Sequence, residues 1–234
     1  MHSERIIRRK LSDEVLDRLK RLITSGELRA GDGMPSERQL MERFGVGRPA
    51  IREAMQALSN MGLISIHHGE RAKVLEITAQ SIIRQVDQSA HIMLSRSSDS
   101  LEQLKNARLF FERGMVREAA ARATAGDVAA LRATLAEQRG ALGKAEAFMA
   151  ADMRFHTQIA GLSGNPIFAA VSEAMLGWLK VYHHDLLIWS GKENFTLAEH
   201  EDIIAAIAAH DAEAAEQALI RHLERSRSLY RLTP

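Results

Sequence analysis

The sequence predicts a mainly α-helical protein made of two domains, with one short β-hairpin at the end of the first. Three observations predict this fold class. The 234 residues include only 4 Pro and 15 Gly, and aromatic residues make up 5% of the chain, a composition that favours helices over sheet. The length suits one to two domains of ordinary size. After Thr78 the sequence contains no convincing strand pattern.

Charge is divided unevenly along the chain. Residues 1–77 carry 14 Lys and Arg against 11 Asp and Glu, a net +3, whereas residues 78–234 carry 17 against 19, a net −2. A small basic part joined to a slightly acidic larger part suggests that the first part meets a polyanion. Cysteine is absent, which excludes disulfides, thiolate zinc sites and a cysteine nucleophile. No apolar run could span a membrane and the N-terminus lacks a signal-peptide pattern, so we expect a cytoplasmic protein.

The first helix of the N-terminal domain is predicted from apolar residues at helical spacing between Leu11 and Ile23, and it should end at Gly26. A second, shorter helix should begin after Ser36, because Ser36 is a good N-cap and Gln39 completes a capping box. That helix should bury Leu40 and Phe44 and end at Gly45.

A third helix should begin near Gly47-Arg48-Pro49, with Pro tolerated in the first turn. Its buried stripe is predicted at i, i+3, i+4 and i+7, and its end at Gly62, where Leu63 can fold back as in a Schellman cap. The stripe comprises Ile51, Ala54, Met55 and Leu58. About three residues separate the second and third helices, which indicates a helix-turn-helix.

The opposite face of the third helix carries Arg48, Arg52 and Gln56, spaced four apart. Arginine offers a fork to guanine, and glutamine suits adenine, so this ridge is predicted to read base edges in a major groove. Arg38, at the start of the second helix, should lie near the DNA backbone. The alternative interpretation of the ridge is an ordinary solvated charge stripe.

A hairpin is predicted after the third helix. Residues 63–66 and 72–75 are β-prone and flank a turn that contains Gly69. We interpret this hairpin as a wing that brings Arg71 and Lys73 to a phosphate or minor groove. Residues 1–77 are therefore predicted to form a winged helix-turn-helix, three helices plus a β-hairpin wing, that binds DNA.

The C-terminal domain, residues 78–234, is predicted to be an all-α bundle of six or seven helices that binds a metal and an effector and forms the dimer. Ligand sites in bundles lie between facing helices. Core packing is the default expectation for most of the aromatic residues, although some could line the pocket. The aromatic residues considered are Phe110, Phe111, Phe155, Trp178, Tyr182 and Trp189. The predicted helices are 79–95, 100–124, 127–142, 144–162, 166–189, 197–209 and 212–231.

A candidate metal site combines Asp152 and His156, which share one helix face, with His200 and His222 from later helices. A carboxylate and three imidazoles suit Zn²⁺, and also Ni²⁺ or Mn²⁺. Spacing alone favours ordinary surface or core histidines, and it cannot choose among the other histidines of this domain. Those are His91, His183, His184 and His210.

Three N-terminal segments resemble the DNA-binding domain of the GntR family of bacterial transcription regulators. They are MPSERQL at 34–40, VGRPAIREA at 46–54 and GLI at 62–64. The resemblance implies that Arg38, Arg48, Arg52 and Gly69 touch operator DNA. The wing departs from the usual Gly-x-Gly-Thr of the family, since it reads GERA at 69–72. That variant is similar to the sialic-acid-responsive repressors of the family.

The pattern Asp152-x3-His156, then His200, then His222, is similar to the FadR-type branch of the same family, whose helical ligand domain is called FCD. The resemblance implies that these four residues hold a divalent ion and that an organic acid completes its coordination. It also implies that Arg108 grips the carboxylate of that acid. The alternative for Arg108 is a structural i, i+4 pair with Glu112.

These patterns together predict a homodimeric, operator-binding transcription regulator that is not an enzyme. It should repress a sugar-acid or organic-acid catabolic operon, with DNA affinity controlled by an acidic metabolite, sialic acid being one candidate. Two alternatives are a metal-dependent enzyme and a metal-binding helical interaction protein. The sequence has no His-Glu-x-x-His, Gly-x-Ser-x-Gly or Walker motif to support the enzyme.

Overall fold

The computed structural model describes residues 9–95, 99–182 and 193–229. The chain divides into two compact units, residues 1–85 and 86–234, called here the winged-helix unit and the bundle unit. The division falls inside a helix, whereas the sequence suggested a boundary after residue 77. Ten helices and two strands are described within these ranges, numbered in chain order: α1 (Leu11–Thr24), α2 (Glu37–Phe44), α3 (Arg48–Asn60), β1 (Ile64–Ser65), β2 (Lys73–Val74), α4 (Ala79–Ser95), α5 (Ser100–Arg122), α6 (Ala125–Gly140), α7 (Ala145–Leu162), α8 (Pro166–Tyr182), α9 (Glu193–Ala208) and α10 (Ala212–Leu229).

The three helices of the winged-helix unit pack around a shared apolar core that includes Leu19, Leu40, Ile51 and Leu58. The predicted capping box is present at the start of α2. The Gln39 amide donates to Ser36 Oγ at 3.3 Å, and the Ser36 amide donates to Gln39 Oε1 at 2.9 Å. These bonds fix where α2 begins, and therefore how it meets α3.

The end of α3 is a Schellman cap, as the sequence predicted. Gly62 has a left-handed φ of 68°, the Leu63 amide donates to the Leu58 carbonyl at 3.0 Å, and the Gly62 amide donates to the Ser59 carbonyl at 2.9 Å. The cap satisfies the last carbonyls of the helix and turns the chain directly into β1.

The wing is the antiparallel pair β1 and β2, with Ile64 opposite Val74 and Ser65 opposite Lys73. The other edge of β2 also pairs, because the Val74 amide donates to the Asp32 carbonyl at 2.9 Å and the Met34 amide to the Ala72 carbonyl at 2.7 Å. The sequence did not predict this second pairing, since residues 31–34 have no strand pattern. The pairing anchors the wing to the loop before α2.

Within the described ranges, the bundle unit comprises the C-terminal part of α4 and the helices α5–α10. Its main core is formed by α5, α6, α7, α9 and α10 and includes Val116, Leu131, Phe155, Ile203 and Leu219. A second capping box separates α5 from α6, with the Asp127 amide donating to Thr124 Oγ1 and the Thr124 amide to Asp127 Oδ2. Among the described helices, none has the combination of length and hydropathy that crossing a membrane requires.

Two aromatic residues of α5 do not follow the core packing expected for most of the aromatic residues. Phe110 is 76% exposed and Phe111 is 40% exposed. The reason is that α5 directs Arg108 and Glu112 inward, where both are buried, so the neighbouring phenylalanines point outward. Phe155 is fully buried, as expected. Trp189 and the side chain of Tyr182 lie outside the described residues.

Candidate metal centre and nucleic-acid interface

Four side chains meet in the interior of the bundle unit. Asp152 and His156 come from α7, His200 from α9 and His222 from α10, and one ligand atom of each lies within 4.8 Å of the others. The Nε2 atom of His222 is 3.3 Å from that of His156 and 3.4 Å from that of His200. The structure thus brings together the four residues that the sequence proposed as metal ligands.

Each imidazole in this cluster has a side-chain oxygen from another residue close to its Nδ1 atom, as a hydrogen bond for His200 and His222 and as an ion-pair contact for His156. Glu112 of α5 lies 2.7 Å from His156 Nδ1, Gln138 of α6 lies 2.9 Å from His200 Nδ1, and Glu199 of α9 lies 2.8 Å from His222 Nδ1. Because the acceptors are carboxylate or amide oxygens, we assign the proton of each ring to Nδ1. The lone pair of each Nε2 then points toward the other two rings.

This arrangement fits a metal ion. Three nitrogen lone pairs that converge in a buried site repel one another unless a cation lies between them. Zinc–nitrogen bonds of about 2.0–2.1 Å place neighbouring tetrahedral ligands about 3.3–3.4 Å apart. The two Nε2–Nε2 distances are 3.3 and 3.4 Å, and Asp152 Oδ1 is 3.5 Å from His200 Nε2. The donor set could therefore hold a divalent ion.

The protonation states of the supporting groups agree with this role. Burial opposes ionisation of Glu112, but the neighbouring Arg108 guanidinium and the contact with His156 outweigh it and hold its pKa at about 2. Glu199, partly buried, also has a pKa of about 2, because hydrogen bonds from His222 and Arg225 outweigh desolvation. Burial lowers the pKa of His200 well below its ordinary value. Neutral imidazoles are the form that binds metals.

Arg108 lies on the inward face of α5, next to the cluster. Its Nε donates to Glu112 Oε1 at 2.5 Å, and the two side chains are only 10% and 5% exposed. The pair therefore has the i, i+4 spacing of the structural alternative, but it is buried and continues to His156 through Glu112. A contact of Arg108 with an effector stays a prediction.

Sequence reasoning missed most of the outer residues of this site. Gln138 is fully buried and joins His200 to Asp152, since its Nε2 donates to Asp152 Oδ1 at 3.1 Å. Arg225 donates to both oxygens of Glu199 at 2.6 and 2.7 Å. The i, i+3 spacing of His222 and Arg225 is a weak signal, and nothing local distinguishes Gln138. Of the competing histidines, His210 bonds the Ala120 carbonyl at 2.8 Å, while the side chain of His91 and residues 183–184 lie outside the described residues.

The winged-helix unit exposes the predicted ridge of α3. The side chains of Arg48 and Arg52 are 60% and 65% exposed, and Gln56 is exposed beside them. Arg38 of α2 is 82% exposed, Lys73 is exposed on β2, and Gly69 at the turn has a left-handed φ of 78°. These predicted DNA-contacting residues are all accessible.

A groove of about 520 Å³ lies between α3 and the wing, lined in part by Glu37, Arg52, Gln56 and Arg71. Arg71 is partly committed to the fold, because its Nε donates to the Met34 carbonyl at 2.6 Å. Its side chain also covers Gly33, where an added Cβ would come within 3.0 Å of Arg71 Cδ. Any contact of Arg71 with a phosphate must therefore use its terminal nitrogens.

Fold and site define a winged-helix DNA-binding protein with a candidate metal centre in a helical bundle. Residues 11–74 match the model of the bacterial regulatory proteins of the gntR family, and residues 103–225 match that of the FCD domain. The chain belongs to the GntR family, as its sequence indicated. It is a DNA-binding transcription regulator, and the enzyme alternative is not supported, because its relatives are regulators.

Two curated relatives are similar over most of their length. The HTH-type transcriptional repressor NanR of Edwardsiella tarda is 37% identical over 228 residues, covering 93% of this chain and 84% of the relative. The NanR repressor of Escherichia coli K12 is 37% identical over 225 residues, covering 95% and 85%.

Solved structures with the same fold include Streptococcus agalactiae GntR, with a TM-score of 0.73 and 22% identity over 93% of this chain and 99% of that one. E. coli McbR/YncC aligns with a TM-score of 0.53 and 20% identity over 96% and 99%.

Proposed function

We propose that this regulator represses a catabolic operon for an acidic sugar or related organic acid, and that the acid controls its grip on DNA by binding at a metal ion. Asp152, His156, His200 and His222 would hold the ion. The observation that carries the proposal is the convergence of three Nε2 atoms, each ring fixed from behind, on one buried point beside a carboxylate. Membership of the GntR family is the reason to expect that ligand binding in the bundle unit controls DNA binding.

The DNA-binding half of the proposal rests on the exposed face of the winged-helix unit. Arg48, Arg52 and Gln56 would read base edges, while Arg38, Lys73 and the backbone at Gly69 would contact the phosphate chain. Arg71 would contribute through its terminal nitrogens. A homodimer would place two α3 helices in successive major grooves, about 34 Å apart, on a near-palindromic operator.

The metal half rests on the chemistry of the donors. We propose Zn²⁺ as the native ion, because three imidazoles and one carboxylate match its preferences and the nitrogen separations match its bond lengths. When bound, the ion supplies a positive charge in the bundle that attracts a carboxylate. Glu112, Gln138 and Glu199 keep the rings oriented, and Phe155 stacks on His200 at 4.0 Å between centroids, which keeps water from that side of the ring.

Sialic acid is the first effector to test. The wing sequence resembles that of the sialic-acid-responsive repressors, and the curated relatives at 37% identity are NanR repressors. Sialic acid carries a carboxylate that could complete the coordination of a metal and hydroxyl groups that could bond the surrounding side chains. It can shift the protein toward a DNA-releasing state only by binding that state more tightly. A cytoplasmic location beside the nucleoid follows from the proposed role.

The test is operator binding by the full chain, measured by fluorescence anisotropy on the promoter DNA upstream of its own gene, with and without sialic acid. We expect zinc-loaded protein to lose at least tenfold in affinity when the acid is added. His222→Ala should bind less zinc and respond less than twofold. A matched control is His210→Asn, which removes a bundle histidine outside the cluster and tolerates the left-handed φ of 55°. A full response in His222→Ala would refute the metal-centred proposal.

A further inference from the structure

One carboxylate lies among the predicted DNA-reading arginines. Glu37, the first residue of α2, places Oε1 2.9 Å from Arg52 Nε and Oε2 3.4 Å from Arg48 Nε. Two guanidinium groups on consecutive turns of α3 therefore share one carboxylate from the preceding helix. Glu37 also lines the groove between α3 and the wing, together with Arg52 and Gln56.

We propose that Glu37 is a positioning residue for sequence recognition: it holds Arg48 and Arg52 in the orientation that reads bases. The inference rests on the proposed DNA-reading role of these two arginines and adds a residue outside the predicted set of DNA contacts. It concerns how selectively the protein binds DNA, not how tightly it binds any duplex.

The geometry of the contact supports positioning. Both contacts use Nε, which lies on the side edge of the guanidinium. The end edge, formed by Nη1 and Nη2, is the fork that can pair with guanine O6 and N7. A carboxylate that fixes the side edge therefore limits the directions in which the end edge can point.

The contrast with Arg38 sharpens this argument. Arg38 is 82% exposed and its nearest ion-pair contact is 3.9 Å from Glu42, which leaves that side chain with little restraint. An unrestrained arginine loses most of its rotamer freedom when it makes a fixed contact. Arg48 and Arg52 have lost part of that freedom already, so the restraint favours a base contact, whereas a phosphate contact does not need it.

The charge of Glu37 allows its effect on the strength of DNA binding to be separated from its effect on sequence selectivity. A carboxylate on the surface that meets DNA repels phosphates, so removing its charge should strengthen binding to any duplex or leave it unchanged. Removing a positioning residue should weaken discrimination between sequences. The two effects move in opposite directions, which an ordinary loss of folding or a simple inhibitory charge cannot reproduce.

The experiment uses the full chain and two duplexes of equal length, one selected from a random pool by the wild-type protein and one scrambled. The quantity measured is the ratio of the scrambled to the selected Kd at fixed salt. Glu37→Gln should lower this ratio about tenfold and leave the scrambled Kd equal or smaller. Glu53→Gln, which removes the same charge from an exposed position on α3, is the matched control and should keep the ratio within twofold.

A second comparison isolates the arginine. In an Arg52→Ala background, Glu37→Gln should lower the ratio by a smaller factor than in wild type, because only Arg48 remains to be positioned. A ratio within twofold of wild type for Glu37→Gln, or equal tightening on both duplexes, overturns the inference while the DNA-reading role survives. If Arg52→Ala and Arg48→Ala also leave the ratio unchanged, the proposed DNA-reading face fails, and the inference fails with it.

Discussion

Glu112 shows at the scale of one residue how the buried charges of the bundle depend on one another. Its Oε1 accepts a hydrogen bond from Arg108, its Oε2 lies 2.7 Å from His156 Nδ1, and its side chain is only 5% exposed. Removing its charge leaves Arg108 buried beside a neutral amide, and a broken buried pair of this kind costs about 3–5 kcal/mol. Loss of a ligand-orienting partner also weakens metal binding, by about 10- to 100-fold.

Glu112→Gln should therefore lose both stability and zinc affinity. The first is measured by urea unfolding of the metal-free protein, and the second by competition with a chromophoric chelator. Glu118→Gln is the matched control, because Glu118 forms an exposed i, i+4 pair with Arg122 on the same helix and should change stability by less than about 0.5 kcal/mol. Equal stability losses in the two variants would show that Glu112 has no special role.

Asp152 is the only carboxylate among the four proposed ligands; its side chain is 17% exposed and accepts a hydrogen bond from Gln138. Asp152→Asn keeps the shape but removes the charge. We expect the zinc affinity of this variant to fall at least tenfold, as measured by the same chelator competition. An unchanged zinc affinity would exclude Asp152 as a ligand.

At the scale of elements, the junction between α5 and α6 is set by the Thr124–Asp127 capping box. Thr124→Ala should lower the free energy of unfolding by about 1 kcal/mol, because it leaves the Asp127 amide without its acceptor. Thr124→Ser keeps the hydroxyl and should retain most of that stability in urea unfolding. A Thr124→Ala variant as stable as wild type would mean that packing alone fixes the junction.

The same box makes a pH prediction. The Thr124 backbone amide, followed by its hydroxyl, lowers the pKa of Asp127 below the ordinary value of 3.8. A lowered folded-state pKa contributes stability that is fully present above 3.8 and lost as the pH falls through the folded value. Asp127→Asn should therefore flatten the loss of stability below pH 4 in acid unfolding curves. An unchanged acid unfolding profile in this variant would contradict it.

The sequence predicted the helices and their ends better than it predicted contacts between distant segments. Helix ends with local chemistry, such as the Ser36 box and the Gly62 cap, could be predicted because the interacting atoms are within six residues of one another. The pairing of β2 with residues 31–34 could not, since it joins distant segments without a strand pattern. The exposure of Phe110 could not be predicted, because the sequence does not show that this stretch of α5 directs Arg108 and Glu112 inward.

Even less of the candidate metal centre than of the fold could be predicted from local sequence patterns. Spacing identified Asp152 and His156 as one face of a helix, but only the family resemblance chose His200 and His222 from the available histidines. Glu37, Gln138 and Glu199 act across helices, and no local pattern marks them. Their roles depend on which helix faces which, and that information enters only with the fold.

In the whole molecule as proposed, an acid that binds a histidine-held ion in the bundle unit controls DNA binding by the winged-helix unit. The most direct measurement is X-ray absorption at the zinc edge of the loaded full-length protein, before and after saturation with sialic acid. The account predicts three imidazole nitrogens at about 2.0–2.1 Å and at least one oxygen, with an oxygen added or replaced when the acid binds. A spectrum without three imidazole ligands would contradict the proposed metal centre. So would a spectrum that stays unchanged when sialic acid is added at a concentration that releases the DNA.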